Sequence, residues 1–420
     1  MEHKSASKLD ERALRDRIAA ATLQREDDIL ASLQATLPLD DRQWQTIVKN
    51  SEAMIGNLRA EKRPPLIDQF LTEYGLSTDE GVQLMRLAEA LSRTTDATTA
   101  NELIRDKIVH RDWFSHAGSG HNIAMSLSGH ALHLTDKWLQ KTGDATNPVA
   151  KAGNAILRQT TRVAIRMLSS QFVFAEKLEA ALKRADKYRK NGYLFSFDML
   201  GEGARTAADA ANYYRAYSDA LEQVAAHARS DDPRKNNGIS IKLSALHPRY
   251  EFAQAGLAVP EIVELLLPLA IKAKNANIQI TIDAEEAERL DISMDVLAAL
   301  IRRPELQGWR GLGFVVQAYQ RRALPLIEWL DVQAEMLGAP LMIRLVKGAY
   351  WDSEIKRAQE MGLGSYPVFT RKEMTDLSYL ACAARLLSKP DSFSPQFATH
   401  NANSITAVQE LAGPRDDFEF

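Results

Sequence analysis

The sequence predicts an α/β chain: a (β/α)8 TIM-type barrel, incomplete at its C-terminus, preceded by an all-helical N-terminal region. Three observations carry that reading. From residue 193 onward, short apolar, β-branched or aromatic runs alternate with amphipathic stretches of helical length, the pattern of parallel βαβ units. Six such units with a seventh begun favour a barrel over an open sheet. Before residue 190 the signals are helical.

Residues 1–62 read as a helical arm. Lys8–Arg15 and Ile29–Leu33 carry helical signals, a break falls at Leu37-Pro38-Leu39-Asp40-Asp41, and alternating basic and acidic side chains mark a solvated face. This segment shows neither an alternating strand nor a net basic face, so DNA binding is not expected of it. Residues 63–190 read as a helical domain and linker of structural role. Ser77-x-x-Glu80 and Thr99-x-x-Glu102 are capping boxes, and Val82, Leu84, Met85, Leu87, Ala88 and Leu91 recur near helical spacing. Gly118, Gly120 and Gly129 loosen the next stretch, and a last helix at roughly 161–190 runs to the break at Asn191-Gly192.

Residues 191–420 hold the partial barrel. Its strands are predicted at Tyr193–Leu200, Gly238–Leu246, Ile278–Glu285, Gly311–Tyr319, Pro340–Tyr350 and Phe393–Asn401, with another starting at Asp417–Phe420. Helices are predicted at Thr206–His227, Val259–Asn275, Ser293–Ile301 and Ala323–Leu337. The chain stops before an eighth strand, so it reads as a fragment or truncated form.

The 420 residues are 45% hydrophobic and 25% charged, the shares of a globular chain able to bury a large core. A net charge of −3 gives no general pull toward nucleic acid or anionic lipid. Cys382 is the only cysteine, which excludes an internal disulfide and any zinc site built on several cysteines; in its apolar stretch it reads as a small buried hydrophobe. The N-terminus has no apolar signal segment, and no run of about 18 apolar residues is seen. A cytoplasmic protein is expected, with peripheral membrane contact left open.

Strand after strand ends in a polar group, and in a barrel those ends converge on one mouth. The groups are Asp198, Lys242, Asp283, Glu285 with Glu286, Gln317, Arg344 with Lys347, and Thr399 with His400 and Asn401. An interior strand cannot hide a charge without a partner, which makes the series hard to explain as surface. Arg344 and Lys347 favour an anionic ligand such as phosphate or reduced flavin, and Gly348-Ala349 allows close backbone approach. Other readings stand beside this one. Lys242 and Asp283 could be a structural ion pair, and Lys242 could form a Schiff base. Asp283, Glu285, Glu286 and His400 could bind a metal, as in a metal-dependent TIM-barrel hydrolase using Asp283 and His400. Glu285 and Glu286 could instead be solvated at the start of a helix. Gly201-x-Gly203 and Gly118-x-Gly120 do not make a Rossmann fingerprint, and there is no P-loop. The long 351–392 connection, with Trp351, Tyr366-Pro367-Val368-Phe369 and Thr370-Arg371-Lys372, would suit an adenosine diphosphate moiety or serve as a plain solvated loop.

Taken in order, Phe197-Asp198-Met199-Leu200-Gly201-Glu202, Ser240-Ile241-Lys242-Leu243-Ser244-Ala245-Leu246-His247-Pro248, Ile282–Glu286, Gly313–Tyr319, Ile343–Asp352 and Gln396–Asn401 resemble the proline dehydrogenase domain of bifunctional proline utilization A flavoenzymes. The likeness is dense over 190–420 and looser from about 64. It implies non-covalent FAD, with contacts from Ala284, Gln317, Arg344, Val346, Lys347, Gly348, Ala349, Trp351, Thr370, Lys372, Thr399 and His400. Lys242 and Asp283 would face L-proline, Tyr350 would shape its pocket, and Asp283, Arg344 and Lys242 would carry catalysis. The implied reaction is hydride transfer from proline C5 to flavin N5, giving Δ1-pyrroline-5-carboxylate and opening proline catabolism toward glutamate. Membrane quinone would take the electrons at the inner face of the cell membrane. The resemblance also implies an aldehyde dehydrogenase domain in the full-length protein. Family members that bind DNA through a ribbon-helix-helix module carry it at the start, and 1–62 does not look like one. The paired arginines that the family places on the barrel's last helix are not in this sequence, so weak activity is expected of the chain at this length.

Overall fold

The computed structural model describes residues 2–60, 173–199 and 201–420. Residues 1–59 and 182–420 form one compact unit, and 60–181 form another that lies mostly outside the described residues. Both predicted capping boxes, and the first part of the helix expected at 161–190, fall there. The described end of that helix is Leu178–Arg189.

Six strands form one all-parallel sheet in chain order: β1 (Ser196–Asp198), β2 (Gly238–Ile241), β3 (Ile280–Ile282), β4 (Leu312–Gln317), β5 (Leu341–Val346) and β6 (Phe393–Phe397). Each is joined to the next by a segment containing at least one helix, as parallel pairing requires. β2, β3 and β4 are buried throughout, which is why they read as continuous apolar runs. Past β6, Phe397 N donates to Glu419 O (2.8 Å) and Glu419 N to Pro395 O (3.0 Å), so pairing resumes where a further strand is predicted to start. Phe397, Phe418 and Phe420 cluster beside it.

The strands are shorter than predicted at their C-terminal ends. After Lys242 the backbone coils into a turn of helix, Leu243–Leu246, although the residues are buried and, Ser244 apart, apolar. Burial selects apolar residues in a loop packed under its neighbours as strongly as in a strand, so the run continues past the last ladder bond. The helix Ala323–Leu337 has its predicted bounds, ended by Gly338 in the left-handed conformation (φ 69°).

Among the described residues, the helix over Ala255–Asn275 is the most apolar long helix to weigh against the expectation of no apolar run of membrane-spanning length. With the preceding turn from Phe252 it is long and apolar enough to cross a membrane by length and composition, with mean hydropathy 1.5. Pro260, Glu261, Glu264 and Pro268 interrupt the run and hide it from a search for unbroken apolar sequence. Ile262, Leu266, Leu269 and Ala273 are buried, and the helix packs between Ala207–Ala225 and Leu290–Ile301.

The N-terminal helices α1 (Glu2–Ala21), α2 (Glu26–Thr36) and α3 (Asp41–Arg59) lie against the helices Ala323–Leu337, Lys372–Leu387 and Ala402–Ala412 respectively. Ile18, Ile29, Leu33 and Ile47 supply the apolar contact. Several of the alternating charges are used rather than solvated. Arg15 pairs with Asp295 (2.8 Å) and lies 4.6 Å over the Trp329 ring, while Glu11 meets Arg302 (2.7 Å) and Gln333. Cys382 is fully buried, and burial pushes its thiol up to about 12, in keeping with a packing role.

Candidate active site at the C-terminal edge of the sheet

The last residues of β1, β4 and β5, and those just beyond β2, β3, β5 and β6, surround a cavity of about 570 Å³. Of the residues predicted from the sequence, Lys242, Asp283, Ala284, Gln317, Arg344, Val346, Lys347, Gly348, Ala349, Tyr350, Lys372, Thr399 and His400 line it. Trp351 and Thr370 do not: the Trp351 indole donates to Phe369 O (2.8 Å), and Thr370 is held by Glu26.

At the inner end Lys242 Nζ lies 2.9 Å from both oxygens of Asp198 and 3.1 Å from Asp283 Oδ2. Burial alone would push this ammonium down; Asp283 and Asp198 together outweigh it and hold Lys242 above the ordinary lysine range. A lysine kept charged in this way is a poor Schiff-base nucleophile. Arg344 Nη1 donates to Ser240 Oγ (2.9 Å) and lies 3.5 Å from Asp283 Oδ1. Asp283 therefore sits between two cations, yet burial still raises its carboxyl above the usual value while Lys242 and Arg344 oppose it. Asp198 and Ser240 complete this cluster. Asp198 was legible as a polar strand end, whereas Ser240 inside a buried apolar strand gave no signal.

Gln317 acts on the backbone. Its Nε2 donates to Glu285 O (2.9 Å), and its Oε1 accepts from Ala349 N (3.3 Å), tying the ends of β3 and β5 to β4. Glu285 is buried, accepts from Ser244 N (3.1 Å) and pairs with Arg289 (2.6 Å), so it is neither solvated nor a free ligand. Glu286 also pairs with Arg289, at 3.2 Å. Among the described residues no cluster of three or more His, Cys, Asp or Glu is placed to hold a metal. With Asp283 engaged by Lys242 and Arg344, nothing supports the hydrolase alternative.

The outer rim is cationic and organised by a residue the sequence reading missed. Asp376 receives Lys347 through one oxygen and Lys372 through the other, both at 2.5 Å. Lys372-x-x-x-Asp376 is legible as a helical pair, but the link to Lys347 crosses from another element. Gly348 (φ 144°) has no room for a side chain, because a Cβ would come within 2.4 Å of the Tyr319 ring. Tyr350 flanks the cavity, and burial pushes its hydroxyl up to about 12. Burial would raise Asp376, but its bonds to Lys347 and Lys372 outweigh this and hold it below the ordinary 3.8. A depressed carboxylate stabilises the fold above its unfolded pKa, and that contribution disappears as pH falls through the folded one. Melts of the parent and Asp376→Asn should thus differ by a constant amount near neutrality and converge only below 3.8.

Comparison with known proteins places the chain in a family. The profile described as Proline dehydrogenase matches residues 181–420, more than half of the chain, and the chain belongs to the proline dehydrogenase family. A second profile, described as the DNA-binding domain of Proline dehydrogenase, matches residues 66–172, outside the described residues. The sequence reading expects no DNA binding and a structural role for 63–190, and the description of this profile speaks against that for 66–172. The chain is 43% identical over 406 residues to Bifunctional protein PutA of Klebsiella aerogenes, covering 94% of this chain and 31% of that protein. The match to the Rhizobium meliloti protein of the same name is 39% identical, covering 95% and 33%. The chain thus spans about a third of the length of these curated relatives. Among solved structures it is similar to a mutant of Bradyrhizobium japonicum Proline Utilization A, with TM-score 0.71 and 42% identity over 95% of this chain and 40% of that one.

Proposed function

We propose that the chain is the proline-oxidising part of an FAD-dependent proline dehydrogenase, with its sheet belonging to a (β/α)8 TIM-type barrel. The carrying observation is one cavity whose inner end is the Lys242–Asp283–Arg344 cluster and whose rim is the Lys347–Asp376–Lys372 clamp. The residues fit a flavin dinucleotide. Lys347 and Lys372 offer cations for its phosphates, Gly348 with no side chain lets backbone approach closely beside Tyr319, and Ala284, Val346 and Ala349 offer apolar wall. The flavin, when bound, supplies an acceptor at N5 for hydride from proline C5. Arg344 cannot deprotonate and offers a fixed cation where negative charge develops. Lys242, kept protonated by its two carboxylates, presents an ammonium to the substrate carboxylate. Asp283 orients both cations, and Tyr350 shapes the pocket. The product is Δ1-pyrroline-5-carboxylate, and its further oxidation toward glutamate belongs to an aldehyde dehydrogenase activity. We assign the electrons to membrane quinone, reached by peripheral contact of a cytoplasmic protein with the membrane.

Purified protein should carry flavin absorption that a chelator does not abolish; colourless protein with stoichiometric metal would contradict the reading. In flavin-loaded protein, Lys242→Ala should weaken a proline-like carboxylate inhibitor by about 10- to 100-fold, the size of a charge-assisted hydrogen bond, with flavin retained. Unchanged inhibitor affinity would remove Lys242 from the substrate site.

A further inference from the structure

The connection after β5 brings Gly348, Ala349, Tyr350 and Lys372 to the cavity wall, and a residue of the N-terminal arm fastens the segment just before Lys372. One flank of the segment 365–370 is joined to the loop after β4: Phe369 N donates to Tyr319 O (2.8 Å), Arg321 N donates to Pro367 O (3.2 Å), and Val368 bridges Gln320. The other flank is held by Glu26, in the first turn of α2. One oxygen of its carboxylate accepts from both Thr370 N (2.7 Å) and Thr370 Oγ1 (2.8 Å). The same carboxylate pairs with Arg321 (3.2 Å), whose side chain is 3% exposed. Arg321 in turn donates through Nη1 to Gln24 O and Ser365 Oγ, each at 2.6 Å. One buried guanidinium and one carboxylate thus bind the arm to both ends of the segment.

We propose that Glu26 is a positioning residue for the adenosine end of the flavin, an inference that rests on the flavin reading above. Ile29 and Leu33 supply the apolar contact of α2 with the body of the protein. Glu26 does something different, because it engages a backbone N–H and so fixes the course of the chain itself. Two residues past Thr370 stands Lys372, half of the clamp on Asp376, and Phe369 O holds the Trp351 indole. A segment released from Glu26 shifts both groups while leaving the Arg344 end of the cavity untouched.

The test is FAD titration of apoprotein for the parent, Glu26→Gln, Thr370→Val and the double variant, with amide hydrogen exchange over 365–372. Glu26→Gln should weaken FAD binding about tenfold, the size of one charge-assisted hydrogen bond, while the visible bands of the bound flavin stay those of the parent. Exchange over 365–372 should quicken even without flavin. The double variant should lose less than the sum of the single losses, since one weakens the acceptor and the other removes a donor of the same contact. Should Glu26→Gln fail to fold, Thr370→Val leaves the Glu26–Arg321 pair in place and reads the hydroxyl contact by the same measures. Faster exchange with unchanged FAD affinity, additive losses, or altered flavin bands would overturn the proposal. A parent chain that binds no FAD overturns the flavin reading itself, and this inference with it.

Discussion

Arg344→Met is expected to slow reduction of bound flavin by proline about 10²–10³-fold, the usual size of the loss when one preorganised electrostatic group is removed. The structure explains why the loss should appear in the rate. Arg344 sits on β5, its guanidinium fixed by Ser240 at 2.9 Å and Asp283 at 3.5 Å, so no rearrangement is needed when charge develops beside it. Substrate binding, which we assign to Lys242, should change much less, which separates a transition-state contribution from uniform binding. Stopped-flow reduction over a range of proline concentrations makes the distinction. A variant that reduces its flavin at the parent rate would place Arg344 outside the chemistry.

Asp283→Ala should cost about 10²-fold in the same step while costing little stability. The carboxylate orients two cations at once, and small displacements of catalytic groups cost about this much. Breaking a buried ion pair usually costs about 3–5 kcal/mol because one charge is left alone. Here Lys242 keeps Asp198 and Arg344 keeps Ser240, so the loss should fall well below that. The raised pKa of Asp283 supplies the sign of the pH dependence. Its burial makes ionisation unfavourable in the folded protein, so the parent loses stability as pH rises from 3.8 through the folded value. Asp283→Ala removes that loss, and the stability difference should move in the variant's favour over the same interval. A residue kept at a cost to stability is a mark of a working site. Thermal melts across pH, set beside the reduction rate, separate the two effects; a large stability loss with normal turnover would make Asp283 a structural ion-pair partner.

Much of this arrangement is legible in the sequence because it follows from periodicity. Alternating apolar runs and helical stretches place all six strands, and the helix Ala323–Leu337 emerges with its bounds. Polar residues ending those runs mark the cavity, since parallel strands bring their C-terminal ends to one edge. Partner choice is harder to read. Nothing local in Glu26 indicates that it reaches Thr370, 344 positions away, instead of capping its own helix. Asp376 lies in the first turns of a helix and reads as the i+4 partner of Lys372, which hides its second bond to Lys347. Leu243–Leu246 looks like strand because burial, not hydrogen bonding, dictates its composition. Thr370 drew attention for the cations beside it, but its polar groups are taken by the arm.

The central claim is that one cavity holds flavin and substrate, with the cations of the sheet edge divided between them. A crystal structure of the protein with FAD and a cyclic proline analogue tests it most directly. The account predicts the isoalloxazine ring beside Arg344 and Gln317, the pyrophosphate toward Lys347 and Lys372, and the analogue's carboxylate against Lys242. A flavin bound away from this edge, or an analogue carboxylate nowhere near Lys242, would contradict it.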